Sequence, residues 1–209
     1  DKNDPYSNRD PRLKYSILTN DIWFKGRNME MWNGGKDAPP IANATKTGYY
    51  LRKYVNENLN LLTNQTSVHS WVIFRLAEFY LNYAEIMYEL GNEEQAREYV
   101  NKVRARQSVN MPPVTASGEK LRDKIRNERR VELAFEGHRF FDVRRWCIAD
   151  ETENRDLLAM NIQKQADGTK TYEVTMLLKR SFLEQHKLVP IPRTEIDKSE
   201  GSLVQNPGY

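Results

Sequence analysis

Arg75-Leu76-Ala77-Glu78-Phe79-Tyr80-Leu81-Asn82-Tyr83-Ala84-Glu85-Ile86-Met87-Tyr88-Glu89-Leu90-Gly91-Asn92-Glu93-Glu94-Gln95-Ala96 is the stretch on which the fold turns. Apolar residues recur at Ile73, Leu76, Ala77, Tyr80, Ala84 and Met87, the three-and-four spacing of one helix face. The spacing predicts a helix from Ser70 to Leu90. Most residues beside that face are also apolar or aromatic, which predicts burial on more than one side. Gly91 supplies a stop, and Asn92 with Gln95 three residues on has the form of a capping box. A second helix is therefore expected from Glu93 to about Gln107, burying Ala96, Tyr99, Val100 and Val103.

So short a turn forces the two helices antiparallel, and Tyr88 to Ala96 resembles the inter-helix turn of a tetratricopeptide repeat. One such unit cannot cover its own apolar faces, so it is expected to pack on further helices, including some outside this chain. Working outward, a third helix is predicted from about Gly118 to Glu136, stopped by Gly137, and a shorter one over Phe140 to Trp146. Tyr172, Val174 and Met176 alternate after Asp167-Gly168, which predicts a β-hairpin with the segment near Ile162. Asp10-Pro11, Asn33-Gly34-Gly35 and Pro39-Pro40 mark the first third as loops, with a strand expected over Tyr49 to Tyr54. The fold class is thus mostly α, with irregular loops and a small hairpin. A loop-rich segment (1–69), a helical core (70–146) and a hairpin with an extended tail (147–209) are expected in that order.

Composition narrows the function. The 209 residues carry 32 Lys and Arg against 29 Asp and Glu, a net charge of +3, and even the most basic stretch, Arg126 to Glu132, alternates in sign. That is not the footprint of a nucleic-acid binder. Apolar runs such as Trp71-Val72-Ile73-Phe74 are far short of the roughly 20 residues a membrane-spanning helix needs, so the segment reads as soluble. It opens on Asp1 with no charged-then-apolar leader, and any export signal or anchor is expected to be absent from it.

Catalytic signatures are weak. His69, His138 and His186 lack ligand spacing, and Cys147, the one cysteine, has no base nearby in sequence and reads as a buried, inert thiol. Glu128, Glu132 and Glu136 share one helix face at i, i+4 spacing. Carboxylates on one face of one helix do not flank a glycosidic bond, and the surrounding arginines favour ion pairing instead. Arg75, Glu78, Glu128, Arg129, Glu132, Glu136, Arg139 and Asp142 are expected to form structural pairs where the first and third helices meet, because an unpartnered buried charge costs several kcal/mol. No phosphate loop or dinucleotide glycine pattern is present, and no cofactor or metal is expected. Asn43-Ala44-Thr45 and Asn64-Gln65-Thr66 match the glycosylation sequon.

Longer motifs carry a family resemblance. Arg75 to Glu85, the block Ile125 to Trp146 (with Asn127-Glu128-Arg129-Arg130-Val131-Glu132-Leu133-Ala134-Phe135-Glu136-Gly137-His138-Arg139-Phe140-Phe141-Asp142) and the ending Val189-Pro190-Ile191-Pro192 to Asn206-Pro207-Gly208-Tyr209 together resemble the SusD/RagB family. Asp10-Pro11-Arg12-Leu13 and Gly48 to Tyr54 fit it in the same order. The resemblance implies the C-terminal half of an outer-membrane lipoprotein of Gram-negative bacteria, exposed at the cell surface. It implies that the protein captures oligosaccharides or other nutrients for polysaccharide utilization. The ligand would pass to a SusC-like TonB-dependent transporter, over which such proteins close as a lid; they are not hydrolases. The lipid-bearing cysteine and most of the tetratricopeptide helices would lie upstream of Asp1. The other reading is a helical-repeat scaffold that binds proteins and no sugar.

Binding residues concentrate on loops held by a rigid scaffold. Trp23, Trp32 and Asn33, beside Lys25, Asn28 and Gly34-Gly35, are therefore the candidate ligand contacts, with packing under the loops the other role open to the two indoles. Trp71 and Trp146 fall at helix positions where core packing is expected.

Overall fold

The computed structural model describes residues 3–68 and 70–209, so His69 lies outside the described residues. The chain forms two compact units: residues 1–138 with 159–175, and residues 139–158 with 176–209.

The first unit opens with α1 (Arg12–Ser16) and β1 (Ile17–Leu18). β2 (Trp23–Phe24) and β3 (Arg27–Asn28) then pair antiparallel across a two-residue turn. Lys25 and Gly26 in that turn both have positive φ, 47° and 86°, the twist that a tight hairpin requires. Of the strand expected over Tyr49 to Tyr54, only β4 (Tyr50–Leu51) forms, antiparallel to β1, and Tyr54 at φ 70° cannot continue it.

The helical part follows. α2 (Leu76–Glu89) and α3 (Glu93–Arg104) form the expected antiparallel pair, and α4 (Gly118–Glu132) packs on both. The joint between α2 and α3 is tightly made. Gly91 (φ 79°) donates to the Tyr88 carbonyl at 3.0 Å and Asn92 to the Met87 carbonyl at 2.8 Å, closing α2 in a Schellman motif. The Asn92 side chain then accepts from the Gln95 amide at 3.2 Å and starts α3. The reciprocal arm of the box is not made, because the Gln95 side chain accepts instead from the Tyr83 hydroxyl at 2.7 Å.

One core cluster fills the space between these helices, built on Leu81, Ala84, Ala96, Val100, Leu121 and Ile125. Alanines at facing positions let α2 and α3 approach closely, and Leu81 and Ile125 fill the remaining volume. A second cluster, under the loops, is built on Leu18, Met29, Met31 and Ile162, with Trp32, Tyr50 and Tyr172 packed against it. Ile162 and Tyr172 come from the expected hairpin, β5 (Leu157–Lys164) and β6 (Lys170–Leu178). Asp167 caps its turn by accepting from the Thr169 amide at 2.9 Å.

In the second unit, α5 (His138–Arg145, all but its first residue) precedes α6 (Ala149–Thr152). The tail carries a short helix, α7 (Arg193–Lys198), where only extended chain was expected. Pro192 at its N-cap supplies the preset φ. Gln205 fastens the tail by pairing with both the amide and the carbonyl of Ile191, at 2.8 and 2.9 Å. No helix among the described residues is long and apolar enough to cross a membrane.

Two helix expectations need correction. α2 begins at Leu76 rather than Ser70 and is buried on one face only, through Ala77, Glu78, Leu81 and Ala84. Its other side leaves Leu76, Phe79, Ile86 and Leu90 exposed, and Trp71 to Phe74 precede it as exposed irregular chain with a bend at Ile73. α4 ends at Glu132, one turn early, because Phe135 takes left-handed backbone at φ 65°, and side chains from elsewhere satisfy the carbonyls left open at that end.

One-sided burial separates two substitutions on α2. Leu81→Ala, fully buried, is expected to cost about 2–5 kcal/mol of unfolding free energy. Leu76→Ala, exposed, should stay within about 0.5 kcal/mol. Urea denaturation of the two variants of this chain checks the difference, and equal losses would contradict it.

Candidate functional site

The most organised polar feature lies where α1, α3 and α4 meet. Glu128 and Glu132, one helical turn apart on α4, are 1% and 4% exposed, and every carboxylate oxygen on them has a cationic donor. Arg12 Nη1 reaches Glu128 Oε1 at 2.6 Å and Glu132 Oε2 at 2.9 Å. Arg104 Nη1 takes Glu128 Oε2 at 2.6 Å, and Arg106 Nη2 takes Glu132 Oε2 at 2.8 Å. Arg75, the N-cap residue of α2, donates to Glu132 Oε1 and grips Glu136 with two nitrogens, each at 2.7 Å. Lys53 completes Glu136 at 2.6 Å.

The same donors close α4. Arg75 Nη2 bonds the Glu132 carbonyl at 2.7 Å and Lys53 Nζ the Ala134 carbonyl at 2.9 Å. Cations at a helix C-terminus satisfy orphan carbonyls and suit the negative end of the macrodipole. Carboxylates at this negative end of the helix would by themselves be unfavourable; the arginines reverse the balance.

Asp10 is what aims Arg12. Its carboxylate accepts from Arg12 Nε at 2.9 Å and Nη2 at 2.6 Å, a two-pronged pair that turns the third nitrogen toward α4. Burial by itself raises the Glu132 and Glu136 carboxyls, but hydrogen bonds from Arg75, with Arg12 on Glu132 and Lys53 on Glu136, outweigh it and hold both below the ordinary value of 4.5. Burial likewise disfavours the Arg12 cation, and its bonds to Asp10 and Glu128 more than reverse this.

The expected pairing of Arg75 with Glu132 and Glu136 is present, as is the burial of the glutamate face. Glu78 faces His138, 3.7 Å away, and Arg129 bonds the Asn82 side chain and lies 3.3 Å from His138 Nδ1. Arg139 and Asp142 sit in the second unit and pair there with Glu153 (3.8 Å) and Arg145 (2.9 Å). Sequence reasoning missed Asp10, Arg12, Lys53, Arg104 and Arg106. Asp10-Arg12 and Lys53 do fall inside motifs that fit the family, the one signal that pointed to them.

The candidate ligand contacts take no part in this cluster. Trp23, 63% exposed, stands on β2 opposite Asn28, held up by the Lys25-Gly26 turn. Arg27 fastens this hairpin to the next loop through a two-pronged pair with Asp37 at 2.6 and 2.7 Å. The Arg27 bonds hold the Asp37 carboxyl below its usual range. Trp32 is half-buried against the second core cluster, with the Lys164 and Lys170 ammonium groups 4.7 and 4.6 Å from its ring centre. Asn33 is exposed; its amide bonds the Ile162 carbonyl at 2.9 Å and its side chain bonds Asn161 Oδ1 at 3.0 Å. Gly35 keeps this loop tight, since a Cβ there would collide with the Glu30 carbonyl. The structure thus gives the two indoles different surroundings, Trp23 open and Trp32 partly enclosed by cations.

Other expectations changed. Trp71 is 61% exposed and stacks on Tyr54 at 4.8 Å instead of joining a helix core, because the helix begins after it. Trp146 is buried as expected. Cys147 is exposed rather than buried, since α5 stops at Arg145 and the chain leaves it in left-handed backbone, φ 54°. His138 lies against Arg129 and Glu78, and His186 Nδ1 accepts from the Leu183 amide at 3.0 Å. No group of three or more metal-ligating side chains occurs among the described residues.

A helix pair with a tight capped joint, a third helix carrying buried, arginine-clamped glutamates, and a loop-rich flank define a SusD-like fold. The SusD family model, SusD_RagB, matches residues 1–209, and the chain belongs to that family. It is 29% identical over 148 residues to SusD-like protein P2 of Formosa agariphila, covering 67% of this chain and 26% of that protein. A crystal structure of a SusD-like protein from Bacteroides fragilis superimposes with a TM-score of 0.84 at 36% identity, over 98% of this chain and 40% of that one. The fold is also that of surface glycan-binding protein A from Bacteroides thetaiotaomicron, at 24% identity, TM-score 0.57, 97% of this chain and 39% of that one. The chain therefore spans less than half the length of each of these relatives.

The glutamate cluster makes an acid-sensitivity prediction. Glu132 and Glu136 bind protons less readily folded than unfolded, so their contribution is full above the ordinary carboxyl value of 4.5 and is lost as pH falls through their lowered values. Urea midpoints measured from pH 7 to pH 3 should fall below about pH 4.5. Glu132→Ala, which takes a partner from buried Arg12 and half-buried Arg75, should cost about 3–5 kcal/mol at pH 7 and flatten that decline. An unchanged midpoint in Glu132→Ala would contradict the pairing.

Proposed function

We propose that the protein is the carbohydrate-binding component of a SusCD-type nutrient uptake system, acting as a binding protein and not as an enzyme. Family membership across residues 1–209 carries this reading. In it the protein faces outward at the outer membrane, held by an N-terminal lipid anchor. It captures an oligosaccharide and delivers it to a SusC-like TonB-dependent transporter.

The chemistry of the first unit supports binding over hydrolysis. A glycosidase needs two carboxyl groups flanking the bond, at least one free to give a proton. Glu128, Glu132 and Glu136 are instead engaged oxygen by oxygen with Arg12, Arg75, Arg104, Arg106 and Lys53. Sugar rings present flat C–H faces that suit aromatic side chains, and hydroxyls that suit amides. Trp23, Trp32 and Asn33 are the proposed contacts. Trp23 is the primary platform, because its indole is open on a tight hairpin, and Asn33 and Asn161, bonded to each other at 3.0 Å, supply amides.

The exposed apolar side of α2 favours a second reading, a scaffold for protein partners that binds no sugar. Calorimetry of the full chain against a panel of oligosaccharides separates the two. The proposed function expects at least one saccharide to bind, and Trp23→Ala to weaken it by about 1–3 kcal/mol, the size of a ring-stacking contact. The melting temperature of Trp23→Ala should be unchanged, since the indole is exposed. Absence of binding to every saccharide would favour the scaffold, and unchanged affinity in Trp23→Ala would remove that residue from the site.

A further inference from the structure

Arg12, Arg75, Arg104 and Arg106 around α4 are already engaged with carboxylates, but Arg9 and Arg130 are not. Arg9, just before α1, and Arg130, on α4, are exposed, and among the described residues neither makes an ion pair or a side-chain hydrogen bond. Both line a cleft of about 380 Å³ between α1 and α4. That volume falls within the roughly 300–1,000 Å³ of small-ligand sites. The floor is apolar, from Leu13, Ile17 and Val131, and Asn127 adds an amide with no partner among the described residues. The carboxylate of Asp10 also reaches the cleft, but it is spent on the two-pronged pair with Arg12. The cleft therefore carries uncompensated positive charge over an apolar floor. Arg9 also lines an adjoining cleft of about 240 Å³ that includes Lys14, so the positive strip continues past one ligand unit.

We propose that this cleft binds an acidic saccharide, with Arg9 and Arg130 taking the oxyanion of a uronate or sulfate ester. Guanidinium forks match the planar or tetrahedral oxygens of such groups in paired hydrogen bonds, and low-dielectric walls strengthen the attraction. Asn127 takes a ring hydroxyl, and the C–H face of the sugar lies on Leu13, Ile17 and Val131. The inference rests on the saccharide-binding reading above and narrows it to acidic glycans. It uses a cleft apart from Trp23, Trp32 and Asn33, none of which lines it.

The test is calorimetry of the full chain with tetragalacturonate, a sulfated oligosaccharide and maltotetraose. Tetragalacturonate and the sulfated probe distinguish uronate from sulfate recognition, and maltotetraose is the neutral reference. At least one acidic probe should bind about tenfold or more tighter than maltotetraose. Arg9→Gln and Arg130→Gln should each weaken it about tenfold, the loss of one charge-assisted contact, with melting temperature and neutral binding unchanged. Arg130→Lys, which keeps the charge but not the fork, should recover part of the affinity. Arg193→Gln, exposed on α7, should leave it unaltered. Neutral and acidic probes binding equally, or Arg130→Gln matching wild type or doing no more than Arg193→Gln, would overturn this inference and leave the proposed function standing. If no saccharide binds at all, both fall.

Discussion

Glu132 of α4, itself almost wholly buried, meets Arg12, Arg75 and Arg106, and the arrangement within the first unit depends on that meeting. Moving a carboxylate out of water costs several kcal/mol, which attraction repays only if the geometry is close and each remaining lone pair has a donor. Here the donors come from before α2, after α3, α1 and the segment following β4. Each must be in place for the others to be satisfied. The loop-rich first third, which has little regular structure of its own, is thereby fixed to the helices through Asp10-Arg12 and Lys53. A fixed loop region is in turn what allows the β2–β3 hairpin to hold Trp23 out at a set position.

The helices were legible in the sequence because a period of three and four residues leaves a record along the chain. The joint at Gly91-Asn92 was legible because its chemistry is local: one residue with positive φ and one amide cap. The β5–β6 hairpin was legible for the same reason, through Asp167-Gly168 and the alternation after it. The extent of α2 misled, since the apolar run Trp71 to Phe74 looks like the helix it precedes, while Arg75 is extended at φ −146° and ψ 155°. The end of α4 misled because Phe135 turns into left-handed backbone before Gly137, and the carbonyls this frees are satisfied by Lys53 and Arg75, distant in sequence. The partners of the glutamates were hidden for that reason too. Arg12 lies 116 residues from Glu128, and no periodicity connects them.

The candidate contacts were legible only as residue types in a loop region, and their surroundings separate them. Trp23 is open, whereas Trp32 has two ammonium groups near its ring and a core cluster beneath it. The unpaired charge of Arg9 and Arg130 was not legible at all. In sequence Arg130 stands next to Arg129 and close to Glu128 and Glu132, and only the fold reveals that those glutamates are taken by other arginines. The exposed side of α2 has a regular pattern as well: Leu76, Phe79, Ile86 and Leu90, with half-buried Tyr83 between them, follow steps of three and four. That spacing is the seam along which one helix accepts another at a shallow crossing angle.

The measurement that bears most directly on this account is a double-mutant cycle between Arg12 and Glu128, read from urea unfolding of the wild type, Arg12→Ala, Glu128→Ala and the double variant at pH 7. If the clamp on α4 holds the loop region to the helices, the two single losses are strongly non-additive, with a coupling of about 1.5 kcal/mol or more. Additive losses, with a coupling below about 0.5 kcal/mol, would mean that the two residues stabilise the fold independently and that the clamp is not what joins its parts.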